Sequence, residues 1–363
     1  MEYTKLKCIN QYKSESINPA KTPDTIFEMY SVPVYETGHP EYLRGDEIAS
    51  NKAVVQKDDI LLCKINPRIN RVWVVSNESD KQNIASSEWI VIRNSEYNPE
   101  FLAWYFRTPK FQKLMTSEVT GIGGSLTRAQ PKCVAEYPVP VMDRKKQDEI
   151  VNVLNKCKFV VDSRQKELLE LDDLIKARFV EMFGNPLDGT AKYPIHQVGE
   201  IANSVDPQPS HRTPPIDEDG IPYVSIKDCD YKTGKIDFEG ARKVSRKVLE
   251  EHLNRYTLHD GDFVIGKIGT IGNPVFVPAR DDYTLSANVI LVQPNSKLVS
   301  PYFLKYSFES DFVERQFAEA KNSTSQAAFG IQKVRTVEVM NPDLSVQMGF
   351  EDFVKQVDKS KSV

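Results

Sequence analysis

The glycine-rich segment from Gly266 to Gly272 is the first place where this sequence could carry out chemistry. It reads G-K-I-G-T-I-G, and closely spaced glycines can cradle a phosphate group. It matches neither G-x-x-x-x-G-K-[ST] nor G-x-G-x-x-G, and it joins two strand-like runs rather than opening a helix. We therefore interpret these glycines as turn residues. Lys267, which has a counterpart in Lys64, is either a framework residue or a phosphate contact.

Familiar catalytic and metal-binding patterns do not occur in the sequence. The 5 histidines show no metal-ligand spacing, and the 5 cysteines form no C-x-x-C pair. Neither G-x-S-x-G nor H-E-x-x-H is present. T-P-P-I at Thr213 to Ile216 is not the N/D/S-P-P-Y/F/W motif of a DNA methyltransferase. We therefore expect a non-catalytic chain that binds no metal and no cofactor of its own.

Two polar loops are better candidates for contact with a ligand. They are T-G-I-G-G-S-L-T-R (Thr120 to Arg128) and K-N-S-T-S-Q-A-A (Lys321 to Ala328). Ser, Thr, Gln and Arg side chains can reach both phosphates and base edges, although simple solvated loops have the same composition. The candidate contacts in these loops and near the two lysines are Lys64, Arg68, Arg71, Ser125, Thr127, Arg128, Lys267, Thr270, Lys321, Ser323, Thr324, Ser325 and Gln326.

Composition is that of an ordinary globular protein of two or three domains. Of 363 residues, 40% are hydrophobic and 27% are charged, and no apolar run approaches the roughly 18 residues of a membrane span. The N-terminus lacks an apolar signal core, and the cysteines are far apart, so we expect reduced thiols in a cytoplasm. The net charge is -4, and no segment forms a basic block. Charge alone therefore does not indicate nucleic acid.

The elements that must position these residues are predicted by an internal repeat of about two hundred residues. Five segments recur in the same order: Asp59–Asn66 as Asp262–Gly269, Val72–Val74 as Val275–Val277, Ser86–Ile92 as Ser286–Val292, Phe101–Phe111 as Tyr302–Phe312, and Gln147–Leu154 as Gln347–Val354. The early part of each copy reads as short strands between turn residues, followed by an aromatic segment with helical spacing. We interpret this as a tandem duplication of one β-rich domain plus one helix.

A long helix is predicted from about Asp143 to Phe183, with Asp143 as the N-cap and Gly184 and Pro186 as the stop signal. Its heptad seam runs through Ile150, Leu154, Cys157, Val161, Arg164, Leu168, Leu171, Ile175, Arg178 and Met182. A narrow seam on a rod of about 60 Å favours pairing with another helix over packing on its own domain. The natural partner begins near Ser345. The residues expected in this pairing or in subunit docking are Ile150, Leu154, Val161, Leu168, Leu171, Ile175, Phe353 and Val357.

The duplicated layout and the central helix, R-K-K-Q-D-E-I-V through E-M-F-G-N-P, resemble the specificity subunit of type I restriction-modification systems. The resemblance implies an α+β fold with two target-recognition domains on a coiled-coil-like spacer, each reading one half of a bipartite DNA site. The implied divisions are 1–142 for the first recognition domain, 143–185 for the spacer helix, 186–343 for the second recognition domain and 344–363 for the C-terminal helix. Because the two domains differ in sequence, we expect an asymmetric site.

The resemblance also implies partners. These are double-stranded DNA, two methyltransferase subunits that use S-adenosylmethionine, and restriction or translocase subunits that use ATP and Mg. The C-terminal helix is shorter than the family usually has, so we expect weaker helix pairing. Two other interpretations stay open on the residues alone. One is a stand-alone DNA-binding protein that works without enzymes, and the other is a scaffold whose β-rich units bind protein.

Overall fold

Apolar runs separated by turn residues form the strands of a mixed α+β protein, as the sequence predicts. The structure is a computed structural model that describes residues 2–120, 127–210, 212–231, 233–267, 272–322 and 330–361, without the side chains of Lys321 and Asn322. It divides into unit 1, Met1–Ser163, and unit 2, Arg164–Val363. Helix α5 (Arg144–Phe183) begins in unit 1 and ends in unit 2.

Before α5, the described part of unit 1 contains twelve strands and four short α-helices, two of which are only four residues long. In chain order they are β1 (Tyr3–Lys5), α1 (Leu6–Ile9), β2 (Ser16–Ile17), β3 (Ile26–Tyr30), β4 (Glu41–Arg44), β5 (Lys52–Val54), β6 (Ile60–Cys63), β7 (Val72–Val74), β8 (Gln82–Ala85), β9 (Trp89–Ile92), α2 (Pro99–Phe106), α3 (Pro109–Ser117), β10 (Val119–Thr120), β11 (Arg128–Ala129), α4 (Pro131–Val134) and β12 (Pro138–Pro140). Helix α5 follows β12.

The strands of unit 1 form a five-stranded sheet, a three-stranded sheet and two separate pairs. The five-stranded order is β2-β5-β8-β3-β4, with β3 parallel to β8, and the three-stranded order is β7-β6-β9. One core packs α2 and α3 on β6 and β9, with Phe106 and Phe111 fully buried. A second core holds Trp73 and Trp89 around Tyr30.

Unit 2 contains the remaining elements, which are β13 (Ile195–Gln197), α6 (Val198–Ile201), β14 (Ala202–Val205), β15 (Ile221–Val224), β16 (Cys229–Asp230), β17 (Lys235–Ile236), β18 (Lys243–Val244), α7 (Arg246–Leu253), β19 (Phe263–Gly266), β20 (Val275–Phe276), β21 (Thr284–Leu285), β22 (Val289–Pro294), α8 (Pro301–Phe308), α9 (Asp311–Asn322), α10 (Ile331–Arg335), β23 (Glu338–Met340) and α11 (Leu344–Lys361). Its main sheets have the orders β14-β22-β19-β20 and β18-β15-β21. The other pairs are β13-β23 and β16-β17.

The long helix predicted from the sequence is confirmed as α5, and its ends follow the predicted signals. Asp143 caps the start, since its Oδ1 accepts the Lys146 N–H at 3.0 Å. Gly184 ends the helix with a φ of +78°, a left-handed conformation that suits glycine. A Cβ at this position would lie 1.9 Å from the Thr190 carbonyl oxygen. Glycine is therefore required there both by backbone conformation and by space.

Helix α11 runs antiparallel to the part of α5 that belongs to unit 2. Phe350 near its start packs against Phe183, with ring centroids 5.6 Å apart, and Lys361 at its end pairs with Asp172 at 2.8 Å. Arg164 Nη2 donates to the Ser360 carbonyl at 3.0 Å. The contact is therefore a mixture of aromatic packing at one end and polar bonds at the other.

The predicted seam residues fall into three environments. Ile175 and Val357 are buried in the unit 2 core, where Leu171 and Phe353 pack at its edge, and Leu168 is half-buried. Ile150 instead packs at the edge of the unit 1 core, with Leu154 half-buried nearby in sequence. Val161 is 56% exposed. Phe179 and Phe183, which the heptad pattern left out, also contact α11, with ring centroids 5.4 and 5.6 Å from that of Phe350.

Candidate nucleic-acid interface

The repeated sequence segments form strands with closely similar pairing in the two units. In unit 1, β6 lies antiparallel to β9, with Ile60 opposite Ile92. In unit 2, β19 lies antiparallel to β22, with Phe263 opposite Val292. These are the partners expected if Asp59–Asn66 corresponds to Asp262–Gly269 and Ser86–Ile92 to Ser286–Val292.

One correspondence proposed from the sequence is wrong by one residue. Ile60 lies opposite Val74, whereas Phe263 lies opposite Phe276. Val74 therefore corresponds to Phe276 and not to Val277. The connection between the two strands is one residue shorter in unit 2, which the apolar pattern alone could not reveal.

Each unit is also closed by a strand pair that the sequence comparison did not detect. β1 pairs with β12, with Tyr3 opposite Pro140, and β13 pairs with β23, with Ile195 opposite Met340. Both pairs are antiparallel and three residues long. In each unit the first of these strands leads into a four-residue helix, and the second leads to a long helix, α5 or α11. The first and last strands of each unit are therefore equivalent.

A buried carboxylate occupies the same place in each unit. Asp59 Oδ2 accepts the Gln56 N–H at 2.9 Å, and both Asp59 oxygens accept Arg93 guanidinium bonds at 2.6 Å. Hydrogen bonding to the Asp59 carboxylate raises the pKa of Arg93. Asp262 Oδ2 accepts the His259 N–H at 2.9 Å and the Gln293 Nε2 at 2.7 Å. Burial raises the pKa of Asp262. The side-chain partner of Asp262 is the Gln293 amide, whereas that of Asp59 is the Arg93 guanidinium.

The candidate contacts of unit 1 converge where the first polar loop returns to the sheet. The Asn66 N–H donates to the Thr127 carbonyl at 2.8 Å, and the Ala129 N–H donates to the Lys64 carbonyl at 2.9 Å. Arg68 is exposed in the adjoining loop after β6. The structure therefore brings together Lys64, Arg68 and Thr127 on one edge of the unit.

Arg128 and Arg71 have protein partners at this edge. Arg128 forms an ion pair with Glu88 at 3.2 Å, and this carboxylate raises the pKa of Arg128. Arg71 is half-buried beside Cys63, whose pKa is raised chiefly by burial. Contact with a phosphate by Arg128 would require exchange of Glu88 for the ligand, which an exposed ion pair allows at small cost.

In unit 2, burial favours the framework interpretation of Lys267. Its side chain is 6% exposed, and its Nζ lies 2.7 Å from the carboxylate of Asp206, which is 11% exposed. A lysine in such a pair is directed into the protein rather than toward a ligand. The remaining candidates, Ser125, Thr270, Ser323, Thr324, Ser325 and Gln326, lie outside the described residues, as does the side chain of Lys321.

Sequence reasoning passed over a cluster of exposed cations in unit 2. Lys243 lies on β18, and Arg246 and Lys247 form the first turn of α7. All three side chains are exposed, whereas the neighbouring Arg242 donates to the Pro214 carbonyl at 2.7 Å. The signal was present as A-R-K-V-S-R-K, four basic residues within seven, but it was lost in the balanced charge of the whole segment.

A polar network attaches the loop around Gln208 to α7, the helix that carries Arg246 and Lys247. His252 on α7 is buried, with Nδ1 2.7 Å from Thr284 Oγ1 and Nε2 bonded to Gln208 Oε1. Tyr256 Oη lies 2.9 Å from the same threonine. Burial lowers the pKa of His252 and so favours the neutral imidazole. The network ties the Gln208 loop to β21 and α7.

Comparison with known proteins shows which family part of this chain resembles. Residues 193–362 match the type I restriction modification DNA specificity domain. The match lies within unit 2 and extends from near β13 to the end of α11. A curated relative, the type I restriction enzyme EcoBI specificity subunit of Escherichia coli, is 20% identical over 142 residues. That match covers 39% of this chain and 29% of the relative, so the chain aligns with less than a third of that protein's length.

Two solved structures from type I restriction-modification systems have a similar fold. A chain solved in work on complex assembly and conformational transition of the type I R-M system covers 99% of this chain and 90% of itself, with a TM-score of 0.56 and 17% identity. The S subunit of the M. genitalium type I system covers 99% and 92%, with a TM-score of 0.54 and 12% identity. At these identities the comparison establishes the architecture alone.

Within the described ranges, no helix combines the length and the apolar character needed to cross a bilayer. No group of three or more His, Cys, Asp or Glu residues is arranged to hold a metal ion among the residues that the structure describes.

Proposed function

We propose that this chain reads DNA sequence for a type I restriction-modification complex, through two recognition units that arose by duplication. The observation that carries the proposal is the matching strand register at both ends of each unit, β1–β12 with β13–β23, and at its centre, β6–β9 with β19–β22. The match of residues 193–362 to the type I DNA specificity domain supports DNA as the ligand. The recognition domains are 1–142 and 186–343, and the helices are 143–185 and 344–363.

The frameworks are equivalent, but the polar surfaces differ, which favours two unlike half-sites. Unit 1 presents Lys64, Arg68 and Thr127 beside its first polar loop. Unit 2 presents Arg246 and Lys247 beside β18. Cations of this kind position a protein on phosphates, while Arg, Gln, Ser and Thr at loop ends can read base edges. The recognised site is therefore bipartite and asymmetric.

Catalysis in this proposal belongs to partner subunits. Exposed apolar side chains on α5, namely Val153, Phe159 (72% exposed), Val160 and Val161, offer a surface for methyltransferase subunits. Those subunits would bind S-adenosylmethionine, and restriction subunits would use ATP and Mg. This chain supplies the sequence information and the spacing.

Selection from a random duplex pool tests the proposal. The full chain, purified with its methyltransferase subunits, should enrich a motif of two unlike halves separated by a fixed number of unspecified bases. Arg68→Ala should change enrichment in one half only, with Lys57→Ala, another exposed cation of unit 1, as the control. Enrichment of no motif, with salt-dependent binding alone, would contradict sequence reading.

A further inference from the structure

Two buried glutamines occupy matching positions at the start of the long helices. Gln147 lies in the first turn of α5 and is 1% exposed, and Gln347 lies in the first turn of α11 and is 0% exposed. The geometry points to a clamp: each glutamine is a positioning residue that fixes the angle between its unit and the helix that begins there. This inference rests on the proposed function for its consequence, the spacing of half-sites.

In unit 1 the clamp joins three segments through one side chain. Gln147 Oε1 accepts the Asn98 N–H at 2.8 Å, and Gln147 Nε2 donates to the Met142 carbonyl at 2.7 Å. Asn98 is the N-cap of α2, the helix that packs on the central sheet of the unit. Its side chain adds a bond from Nδ2 to Asp148 Oδ1 at 2.7 Å.

In unit 2 the same atoms make the same bonds. Gln347 Oε1 accepts the Ser300 N–H at 2.7 Å, and Gln347 Nε2 donates to the Pro342 carbonyl at 2.7 Å. Ser300 is the N-cap of α8, the counterpart of α2. Its Oγ donates to Glu351 Oε2 at 2.6 Å, where unit 1 uses Asn98 and Asp148. The glutamine is kept, while the surrounding pair has changed residue type.

The hydrogen bonds of each glutamine fix the orientation of the unit relative to the long helix because of the groups that they join. An N-cap N–H has no helical partner of its own, so a buried one must be satisfied from elsewhere. Here the partner is on the long helix, and the same amide also holds the chain that enters that helix. Rotation of the unit about the start of the helix would break both bonds together.

The consequence for a bipartite reader is a narrow choice of spacer length. One base pair separates successive positions by about 3.4 Å and rotates them by about 35°. A unit that is held rigidly on its helix can bind its half-site at only one spacer length. A unit that can rotate at the clamp can also bind when the spacer is one base pair shorter or longer. Loss of the clamp should therefore relax spacing without changing which bases are read.

The test measures methylation of a duplex pool by the full chain with its methyltransferase subunits. Every duplex carries both half-sites, with spacers from two base pairs shorter to two longer than the selected length. Gln147→Ala and Gln347→Ala should each lower the preference for the selected spacer over its neighbours by about fivefold, the scale of one lost hydrogen bond. Base preference within the half-sites should be unchanged.

Two further variants separate positioning from general destabilisation. Gln316 is the control, because its amide bridges α9 to both backbone groups of Glu338 and does not touch a long helix. Gln316→Ala should keep the full spacer preference. Gln147→Glu retains an acceptor for the Asn98 N–H and should restore part of the preference. Folded clamp variants that methylate with the unaltered preference would overturn the inference.

Hydrogen exchange tests the clamp without DNA. In the full chain, Gln147→Ala should speed exchange of the Asn98 amide, and Gln347→Ala that of the Ser300 amide, by at least about fivefold relative to Gln316→Ala. Unchanged exchange would also overturn the inference. If the unaltered complex shows no sequence-selective methylation while these amides respond, the proposed function fails and the clamp itself stands.

Discussion

Variants of the buried pair Lys267–Asp206 can distinguish the two roles considered for this lysine, which are framework residue and phosphate contact. The Lys267 Nζ lies 2.7 Å from the carboxylate, and both side chains are almost entirely excluded from water. Removing one partner leaves the other charge buried, which costs about 3–5 kcal/mol. We therefore expect Lys267→Met and Asp206→Leu each to lower the free energy of unfolding of unit 2 by that amount. The double variant should cost less than either single variant, because no buried charge remains.

Denaturant unfolding of the full chain can follow the two units separately. All 3 tryptophans, Trp73, Trp89 and Trp104, are in unit 1, so their fluorescence reports that unit. Hydrogen exchange of β19 amides reports unit 2. The Lys267 and Asp206 variants should shift the second signal and leave the first unchanged. Lys243→Met, which removes an exposed lysine of unit 2, should shift neither signal.

Measurement of DNA affinity at several salt concentrations can refute the framework role of Lys267. A framework lysine leaves the slope of log K against log salt unchanged, whereas a lysine that contacts one phosphate changes it by about 0.9. Lys267→Met with full stability of unit 2 and a reduced salt slope would refute the framework role.

Three other predictions follow from single features of the structure. Joint replacement Arg246→Glu and Lys247→Glu should reduce the salt slope of DNA binding by about 1.8, measured by titration at several salt concentrations, with Lys297→Glu as the exposed control. Gly184→Ala should destabilise the chain by about 1–3 kcal/mol in thermal unfolding. Gly189 has the same φ of +78° but open space where a Cβ would lie, so Gly189→Ala is the control. An equally large loss of stability in Gly189→Ala would contradict the steric argument. Burial lowers the pKa of His252, so the folded state resists protonation, and stability should be full above about pH 6.5 and fall as the pH drops below it. His252→Gln should flatten that dependence in pH-resolved unfolding, and an unchanged slope would exclude His252 as its source.

The sequence was sufficient to predict elements that are specified locally. Helix α5 follows from an uninterrupted heptad pattern with Asp143 and Gly184 at its ends. The central strands follow from apolar runs between turn residues. These features depend on neighbours in the chain, and a repeat makes each of them visible twice.

Features that depend on distant partners could not be predicted in this way. The partner of Lys267 is 61 residues away in the chain, and nothing in the sequence marks Asp206 as that partner. Gln147 and Gln347 stand at the start of a repeated segment, but their partners are backbone N–H groups, which carry no sequence signal. The aromatic packing of Phe179 and Phe183 lies off the heptad seam because α11 approaches from that side.

Sequencing of methylated bases in DNA from a host that expresses this chain with its methyltransferase subunits tests the central claim most directly. Two different recognition units predict one methylated motif made of two unlike halves with a fixed spacer. Gln147→Ala should keep both halves and add neighbouring spacers. A palindromic motif, a motif without two separated halves, or methylation that is the same when this chain is omitted would contradict the account.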